Sequence, residues 1–183
     1  MSIKTEATIE DLYHLPDNCK AEIVNGKLVL MSPTGFLPGH AGGEIYANLR
    51  DYERLTKSGY ALPDNGGFIV NLPHRRSLSH DAAFYTGKPT GGKFLNGAPV
   101  FAAEVRSEND YGETAEKNMA SKRRNYFAAG TLVVWDVDVL KEEVIRVYRA
   151  NNPEEPQVYR RGEVAEAEPV LPGWTMLVDN LFV

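Results

Sequence analysis

The sequence predicts an α/β fold, in which a mixed β-sheet is flanked by helices and an N-terminal β-hairpin adds antiparallel strands. Two patterns lead to this prediction. Asn25-Gly26 separates two short apolar runs, and this dipeptide is the strongest local signal for a two-residue hairpin turn. The apolar run Val100–Val105 precedes a helical segment and a second apolar run, Leu132–Val137. Strand, helix and strand in this order form a β-α-β unit, whose two strands pair in parallel.

Two helices and four short strands are predicted in the first half of the chain. Thr8–Leu15 is amphipathic, and Thr8 is suited to cap its start while Pro16 ends it. A second helix is predicted within Pro38–Lys57, beginning after Gly39, because its apolar residues repeat at helical spacing. The four strands are Ala21–Val24, Lys27–Met31, Tyr60–Pro63 and Phe68–Leu72.

The second half of the chain has a more regular pattern. Val100–Val105 is apolar almost throughout, which is typical of a strand covered on both faces. Glu113–Ala129 has helical spacing, and Gly130 stands where a helix commonly ends in a left-handed residue. Residues 74–80 and Gly87–Gly97 read as loops. The remaining predicted strands, of which the last two form edges, are Asp81–Tyr85, Leu132–Val137, Val144–Tyr148, Gln157–Arg160 and Leu177–Val183.

The length and composition indicate one globular domain that spans residues 1–183. The 183 residues are 43% apolar, which is too high a fraction for a disordered chain. No run approaches the ~18 apolar residues of a membrane span, and Met1–Ala7 lacks the apolar segment of a signal peptide. The single cysteine, Cys19, excludes an intramolecular disulfide, so we expect a cytoplasmic location. The net charge of −5 argues against a protein that coats nucleic acid electrostatically.

Three charged residues lie where the apolar pattern predicts burial. Alternation puts Glu104 at the end of its strand, on the same face as Ala102. Asp81 begins another predicted strand. Lys122 lies in the middle of the apolar stripe of its helix, four residues before Tyr126. Because an isolated buried ammonium is strongly disfavoured, Lys122 needs a carboxylate partner or a water-filled cleft.

Two carboxylates and a lysine are a combination suited to metal-assisted hydrolysis. Carboxylate oxygens are hard ligands that suit Mg²⁺, which keeps several waters and binds substrate phosphate. The ion acidifies a bound water and neutralises charge on phosphoryl oxygens, and a nearby lysine stabilises the transition state. The same residues also have a purely structural interpretation, because a strand-end Glu and a helix Lys often form a salt bridge. Spacing alone leaves both interpretations open.

A series of short motifs occurs in a fixed order along the chain. They are Ala21–Val29, Met31–Pro33, Ser79–Phe84, Glu104–Ser107, Tyr126–Gly130, Val134–Asp138 and Leu171–Trp174. Together they resemble the Uma2 (DUF820) family of restriction endonucleases in the PD-(D/E)XK nuclease superfamily, from residue 8 to the end of the chain. The resemblance implies a restriction-endonuclease-like fold and a metal-dependent endonuclease that hydrolyses phosphodiester bonds. It also implies DNA as the substrate and a homodimer.

The resemblance also assigns roles to individual residues. Asp81 matches the aspartate of the PD motif, and Glu104 matches the acidic residue of the (D/E)XK motif. Both are therefore expected to bind Mg²⁺ or Mn²⁺, with the backbone carbonyl of Val105 as a further ligand. Lys122 matches the lysine of the family, which in this branch has moved from the strand to the following helix. The expected catalytic residues are Asp81, Glu104 and Lys122.

Five further residues are candidates for contact with the substrate. Glu22 and His40 match family positions near the site, either as substrate contacts or as residues that support the metal ligands. Arg106 stands where the common motif has lysine, and an arginine there is able to contact phosphate but not to act as a base. Arg123 and Arg124, beside Lys122, are expected to contact phosphate if the site faces DNA.

The sequence leaves several alternatives open. A catalytically inactive nucleic-acid-binding or assembly protein on the same scaffold is favoured by the acidic composition and by the lack of a strong basic stripe. RNA or a small phosphodiester is not distinguished from DNA as the substrate. Glu108 and Asp110 form either a second ion site or a solvated loop.

Overall fold

The computed structural model describes residues 6–15 and 19–183. This part of the chain forms three α-helices, one 3₁₀ helix and thirteen strands. The helices are α1 (Ile9–Tyr13), α2 (Phe36–Thr56), α3 (Glu113–Ala129) and the 3₁₀ helix Val178–Leu181. The strands are β1 (Lys20–Val24), β2 (Lys27–Met31), β3 (Tyr60–Leu62), β4 (Gly67–Leu72), β5 (Arg75–Ser79), β6 (Ala82–Tyr85), β7 (Leu95–Asn96), β8 (Phe101–Val105), β9 (Val133–Asp138), β10 (Val144–Arg149), β11 (Asn152–Arg160), β12 (Val164–Glu166) and β13 (Thr175–Leu177).

Helix α1 begins as predicted, at a capping threonine. The Asp11 N–H donates to Thr8 Oγ1 at 3.3 Å, and the Asp11 carboxylate accepts from the Thr8 N–H at 2.6 Å. This reciprocal pair satisfies two amide groups that the first helical turn leaves free. The helix ends at Tyr13. Pro16, the predicted helix terminator, lies outside the described residues.

The predicted hairpin is confirmed. Asn25 and Gly26 have φ values of +50° and +68°, so both central residues of the turn are left-handed. This is the type I′ geometry that matches the twist of a two-stranded ribbon, and it favours Asn followed by Gly. Val24 and Lys27 face each other beside the turn. Strand β1 pairs with β5 on its other side, which joins the hairpin to a larger sheet.

The strands form two main sheets. The five-stranded sheet has the order β2-β1-β5-β4-β7, and the six-stranded sheet has the order β11-β10-β9-β8-β6-β3. Within the six-stranded sheet, β8 and β9 are parallel while their outer neighbours are antiparallel. Helix α3 connects β8 to β9, so the predicted β-α-β unit is present. The fold is therefore the mixed sheet with flanking helices that the sequence predicts.

Alternation along β8 divides the core into two layers. Phe101, Ala103 and Val105 pack on the face covered by α2 and by the C-terminal segment. Ala102 packs on the opposite face with Tyr126 of α3 and with side chains of β4 and β5. Since Glu104 follows the same alternation as Ala102, its carboxylate enters the layer between the six-stranded sheet and α3. Lys122, on the face of α3 that was predicted to point inward, enters the same layer.

Helix α2 begins earlier than predicted. It starts at Phe36, which places Pro38 inside the first turn, before the position after Gly39 that the apolar spacing indicated. A proline is tolerated there because the first-turn amides have no partner within the helix. α2 has 21 residues and is the longest described helix. None of the helices in the described ranges is both long and apolar enough to cross a membrane.

Residues 74–80, predicted to be a loop, contain strand β5. It pairs with β4 and β1, and its alternate residues Arg75, Ser77 and Ser79 are buried. The Ser77 hydroxyl accepts a hydrogen bond from the Ile23 N–H at 2.8 Å. The strand lacks an apolar alternation because Arg75, Ser77 and Ser79 share one face, and Leu78 is the only apolar residue in the strand. Its hydrogen-bond partners come from a distant part of the sequence.

Candidate functional site

A cleft of about 420 Å³ opens at the carboxyl end of β8. Its walls come from the start of β1, the β2–α2 connection, the start of β6, the β8–α3 loop and α3. The wall residues are Lys20, Met31–Gly35, Asp81, Glu104, Val105, Ser107–Asp110 and Lys122. The structure thus brings the three expected catalytic residues together at one concave site. The backbone of Val105, the third expected metal ligand, lies in the same wall.

Asp81 is fixed at the start of β6 by a backbone contact. Its Oδ2 accepts a hydrogen bond from the Val105 N–H at 2.7 Å, and its Oδ1 is 3.6 Å from Lys20 Nζ. Burial raises the pKa of Asp81 above its ordinary value, although Lys20 and the Val105 amide oppose the rise. A carboxylate in this environment gains stability from an additional cation beside it.

Glu104 is held by two residues of α3. Its Oε2 accepts from Lys122 Nζ at 2.7 Å, and its Oε1 accepts from the Tyr126 hydroxyl at 2.6 Å. Burial raises the pKa of Glu104 to about 7; Lys122 opposes this rise and the charge of Asp81 adds to it. Two carboxyl groups whose pKa values are both raised, at the edge of one cleft, are typical of a cation site.

Lys122 lies between two carboxylates. Its Nζ is 2.7 Å from Glu104 Oε2 and 3.5 Å from Glu22 Oε1. Burial disfavours the ammonium form, but Glu104 and Glu22 outweigh it, so the pKa of Lys122 is raised. A lysine that stays protonated cannot act as a base. It is suited to donating hydrogen bonds and to stabilising negative charge.

Glu22 does not line the cleft, and the structure places it among buried polar groups. It is only 2% exposed. Oε2 pairs with Arg75, and Oε1 accepts from the Ser79 N–H at 2.8 Å and from the Ser79 hydroxyl at 3.0 Å. Burial would raise the pKa of Glu22, but Lys122 and Arg75 lower it below its ordinary value. Glu22 is therefore a charged carboxylate that pairs with Lys122 on the side away from the cleft.

Arg106 does not line the cleft either, and the structure places its guanidinium among carboxylates. Its Nε and Nη2 donate to Asp136 at 2.7 and 2.8 Å, and Nη2 donates to Glu116 at 3.0 Å. The residue is 4% exposed. Its guanidinium is occupied by two carboxylates, one from β9 and one from α3. Arg106 therefore joins these elements instead of contacting a ligand.

The other three expected substrate contacts do not line the cleft either. The Arg123 guanidinium lies 3.6 Å above the ring of Tyr148 and 3.7 Å from Asp136, which makes it part of the packing of α3 on the sheet. His40 stacks on Phe36 at the start of α2, with 6.0 Å between ring centroids. Arg124 is exposed on α3. The structure thus gives none of the three a place at the site.

Two site residues were not anticipated from the sequence. Lys20 Nζ pairs with Asp64 and lies near Asp81, in the wall of the cleft. No local pattern marks Lys20, because its partners lie far along the chain. Tyr126 did carry a signal, since it follows Lys122 by one helical turn on the inward stripe. An aromatic residue on such a stripe is usually part of the core, so the spacing alone does not mark Tyr126 as a site residue.

The donor set suits one class of metal. Among the described residues, no three His, Cys, Asp or Glu side chains converge in a metal-binding arrangement. Mg²⁺ needs no such cage, because it is commonly held by one or two carboxylates together with waters and substrate phosphate. Asp81 and Glu104 therefore fit Mg²⁺ or Mn²⁺. In the adjoining loop, the Asp110 carboxylate accepts from the Ser107 N–H at 2.8 Å and from its hydroxyl at 2.7 Å.

His80, next to Asp81, is fully buried, and neither of its ring nitrogens has a hydrogen-bond partner in the described part of the chain. Burial lowers the pKa of His80 to about 3, with Lys20 and Lys122 adding to the effect. In the unfolded chain, the imidazole titrates near its ordinary value of about 6.5. Between these two pH values the unfolded state binds a proton that the folded state does not. The contribution that neutral His80 makes to the free energy of unfolding is therefore complete above about pH 6.5. It is lost as the pH falls towards the pKa of His80 in the folded state.

Acidification is accordingly expected to lower the free energy of unfolding by up to about 1.4 kcal/mol per pH unit through His80 alone. Urea unfolding of the wild type and of His80→Leu, between about pH 7.5 and about pH 5.5, measures this contribution as the difference between the two slopes. His14→Gln serves as the control, because His14 has a side chain that is 71% exposed. Parallel slopes for the wild type and His80→Leu would contradict the prediction.

Comparisons with known proteins identify a family and a fold for this chain. A model of the Uma2 family, described as "Putative restriction endonuclease", matches residues 9–179. No curated protein matches the chain. Among solved structures, the chain is similar to one described as a putative nuclease belonging to DUF820 from Anabaena variabilis ATCC 29413. The two are 16% identical with a TM-score of 0.75, over 96% of this chain and 97% of that chain. The likeness shows that the two share a fold.

Proposed function

The chain belongs to the Uma2 family, and from this membership and the cleft we propose that it is a metal-dependent endonuclease that hydrolyses phosphodiester bonds in DNA. One observation carries the proposal. Asp81 directly precedes β6, Glu104 belongs to β8 and Lys122 to α3, and their charged groups meet in the wall of one cleft. In this proposal all three are catalytic residues.

Asp81 and Glu104 would hold a Mg²⁺ or Mn²⁺ ion, together with the Val105 carbonyl. Burial raises the pKa of both carboxyl groups, so a divalent cation relieves an unfavourable pair of buried negative charges. When bound, the ion supplies an acidified water and neutralises charge on the phosphate.

Lys122 provides a positive charge at the cleft in addition to that of the metal ion. Its raised pKa keeps the amino group protonated, so it donates hydrogen bonds to the phosphate oxygens where negative charge increases during hydrolysis. Glu22, 3.5 Å from its Nζ, restrains the ammonium group from the side away from the cleft. Lys20 places a second ammonium group beside Asp81. The two lysines offset the repulsion between the carboxylates and a phosphodiester.

A homodimer completes the proposal. The two strands of a DNA duplex run in opposite directions, and each cleft acts on one strand. Two chains related by a two-fold axis would present one cleft to each strand. With a net charge of −5, binding is expected to be local and to depend on the ion at the cleft.

Supercoiled plasmid is the substrate that tests this function. We expect the wild type to nick and then linearise plasmid in Mg²⁺ or Mn²⁺ and to be inactive in chelator. Lys122→Met, purified in the same way, is expected to cleave at least ~10²-fold more slowly, because it retains the side-chain length without the charge. Its Mn²⁺ affinity, measured by calorimetry, should change far less than its rate.

The same experiment distinguishes the alternatives. A single-stranded RNA and a small phosphodiester, tested in parallel, show whether DNA is preferred. A catalytically inactive scaffold protein is the second candidate, because the Glu104–Lys122 ion pair satisfies both charges without a metal. Retained DNA binding without cleavage under any divalent ion would support that candidate and contradict the proposed nuclease.

A further inference from the structure

Behind the cleft, five side chains form a closed ring of polar contacts. The Tyr126 hydroxyl is 2.6 Å from Glu104 Oε1 and 2.6 Å from the Ser79 carbonyl oxygen. Ser79 donates to Glu22 Oε1, which is 3.5 Å from Lys122 Nζ. Lys122 donates to Glu104 Oε2 and closes the ring. The ring links α3 to β8, β5 and β1.

Helix α3 contacts both oxygens of the Glu104 carboxylate. Lys122 and Tyr126 are four residues apart, so they project from the same face of the helix, one turn from each other. Lys122 contacts Oε2 and Tyr126 contacts Oε1. The terminal torsion of a glutamate side chain is broad and weakly restricted. Two donors on one rigid helix remove this freedom and set the plane of the carboxylate.

The Tyr126 hydroxyl is itself fixed in place. The residue is fully buried, and its single hydroxyl proton is shared between Glu104 Oε1 and the Ser79 carbonyl oxygen, each 2.6 Å away. Burial, reinforced by the charges of Glu104 and Glu22, raises the pKa of Tyr126 well above its ordinary value. The hydroxyl therefore keeps its proton. Since Tyr126 is absent from the wall of the cleft, it acts on the site only through Glu104.

We propose that Tyr126 is a positioning residue, which orients the Glu104 carboxylate for the divalent cation at the cleft. The inference rests on the proposed function, in which Glu104 is a metal ligand. Without the hydroxyl, Glu104 Oε1 loses its hydrogen bond to Tyr126. The carboxylate can then rotate away from the orientation that binds the metal. Loss of a hydrogen bond to a metal ligand typically lowers metal affinity or activity by about 10–100-fold.

The test is the Mn²⁺ affinity of Tyr126→Phe, measured by calorimetry and by the electron paramagnetic resonance of the free ion. We expect the dissociation constant to rise by about 10–100-fold, and cleavage to recover to near the wild-type rate at saturating Mn²⁺. Tyr85→Phe is the matched control. Tyr85 is also buried, and its hydroxyl donates to the Asn96 carbonyl at 2.8 Å, outside the ring. This control loses a comparable hydrogen bond and should keep the wild-type affinity.

A second variant keeps the test informative if Tyr126→Phe folds poorly. Tyr126→4-aminophenylalanine retains a donor at the same point of the ring and is expected to restore the wild-type affinity. Equal Mn²⁺ affinities of the wild type and Tyr126→Phe, or an equal loss in Tyr85→Phe, would overturn the positioning role alone. A wild type that binds no metal would overturn the proposed function and this inference together. Metal binding without cleavage would overturn the function only, since the affinity shift would still be measurable.

Discussion

Replacing Glu104 by glutamine is expected to lower metal-dependent plasmid cleavage by at least ~10³-fold. The substitution removes one of two carboxylates that fit a divalent cation, and the described residues offer no cluster of three ligand side chains to replace it. It changes the shape of the side chain very little. Because burial already disfavours the charged form of Glu104, the variant is expected to fold. Lys122 keeps Glu22 as a charged partner at 3.5 Å.

The measurement combines single-turnover cleavage with Mn²⁺ titration. Glu104→Gln should lose both activity and measurable metal binding, which separates it from Lys122→Met, expected to lose activity alone. Glu154→Gln is the matched control, because it removes the same charge from an exposed position on the edge strand β11. If Glu104→Gln cleaved plasmid at the wild-type rate, the hydrolysis would come from another site or another protein, and the proposed cleft would not be the active site.

Local chemistry explains which parts of the fold could be predicted. The Asn25-Gly26 turn depends on two left-handed residues. The end of α3 depends on Gly130, which has a φ of +109°. Both signals lie within a few residues of the structure that they specify. Strand β5 gave no such signal, because four of its five residues are polar, and the buried ones among them, Arg75, Ser77 and Ser79, find their partners on another strand. Burial of a polar strand face depends on tertiary hydrogen bonds, which a hydrophobic pattern does not contain.

The site was predictable to the extent that charge interrupts an apolar pattern. Glu104 and Lys122 stand out because each lies on a face that should be buried, and Asp81 stands out because it begins a predicted strand; the resemblance to a nuclease family then assigns roles to all three. Lys20 begins a strand that has no unusual pattern, and it acquires its position only when β1 joins β5 beside Asp81. The supporting role of Glu22 depends on the same pairing. These contacts follow from sheet topology, which local periodicity does not specify.

Arg106 is a further residue whose contacts local periodicity could not predict. Alternation correctly placed it on the face of Glu104, but alternation does not identify what lies opposite. In the register of β8 and β9, Glu104 pairs with Asp136. That pairing brings Asp136 close to Arg106, which directly follows the end of β8. The Arg106 guanidinium therefore pairs with the buried Asp136 carboxylate of β9 and does not line the cleft.

Replacing Arg106 by methionine is expected to lower the free energy of unfolding by about 3 kcal/mol, the lower end of the range for breaking a buried ion pair. Asp136 is 2% exposed and would lose its closest partner. The lower end applies because two other arginines remain near Asp136, Arg123 at 3.7 Å and Arg146 at 3.9 Å. Urea unfolding measures the change. Arg124→Met, on the exposed side of α3, should change stability by less than about 0.5 kcal/mol.

A double variant separates the cost of an unpaired charge from the value of the ion pair. Leaving Asp136 buried without Arg106 is costly, whereas replacing both groups by apolar side chains removes the uncompensated charge. Arg106→Met combined with Asp136→Leu is therefore expected to be more stable than Arg106→Met alone. If Arg106→Met instead unfolded like the wild type but bound DNA more weakly, the guanidinium would be acting on phosphate. The ion pair with Asp136 would then be incidental to the fold.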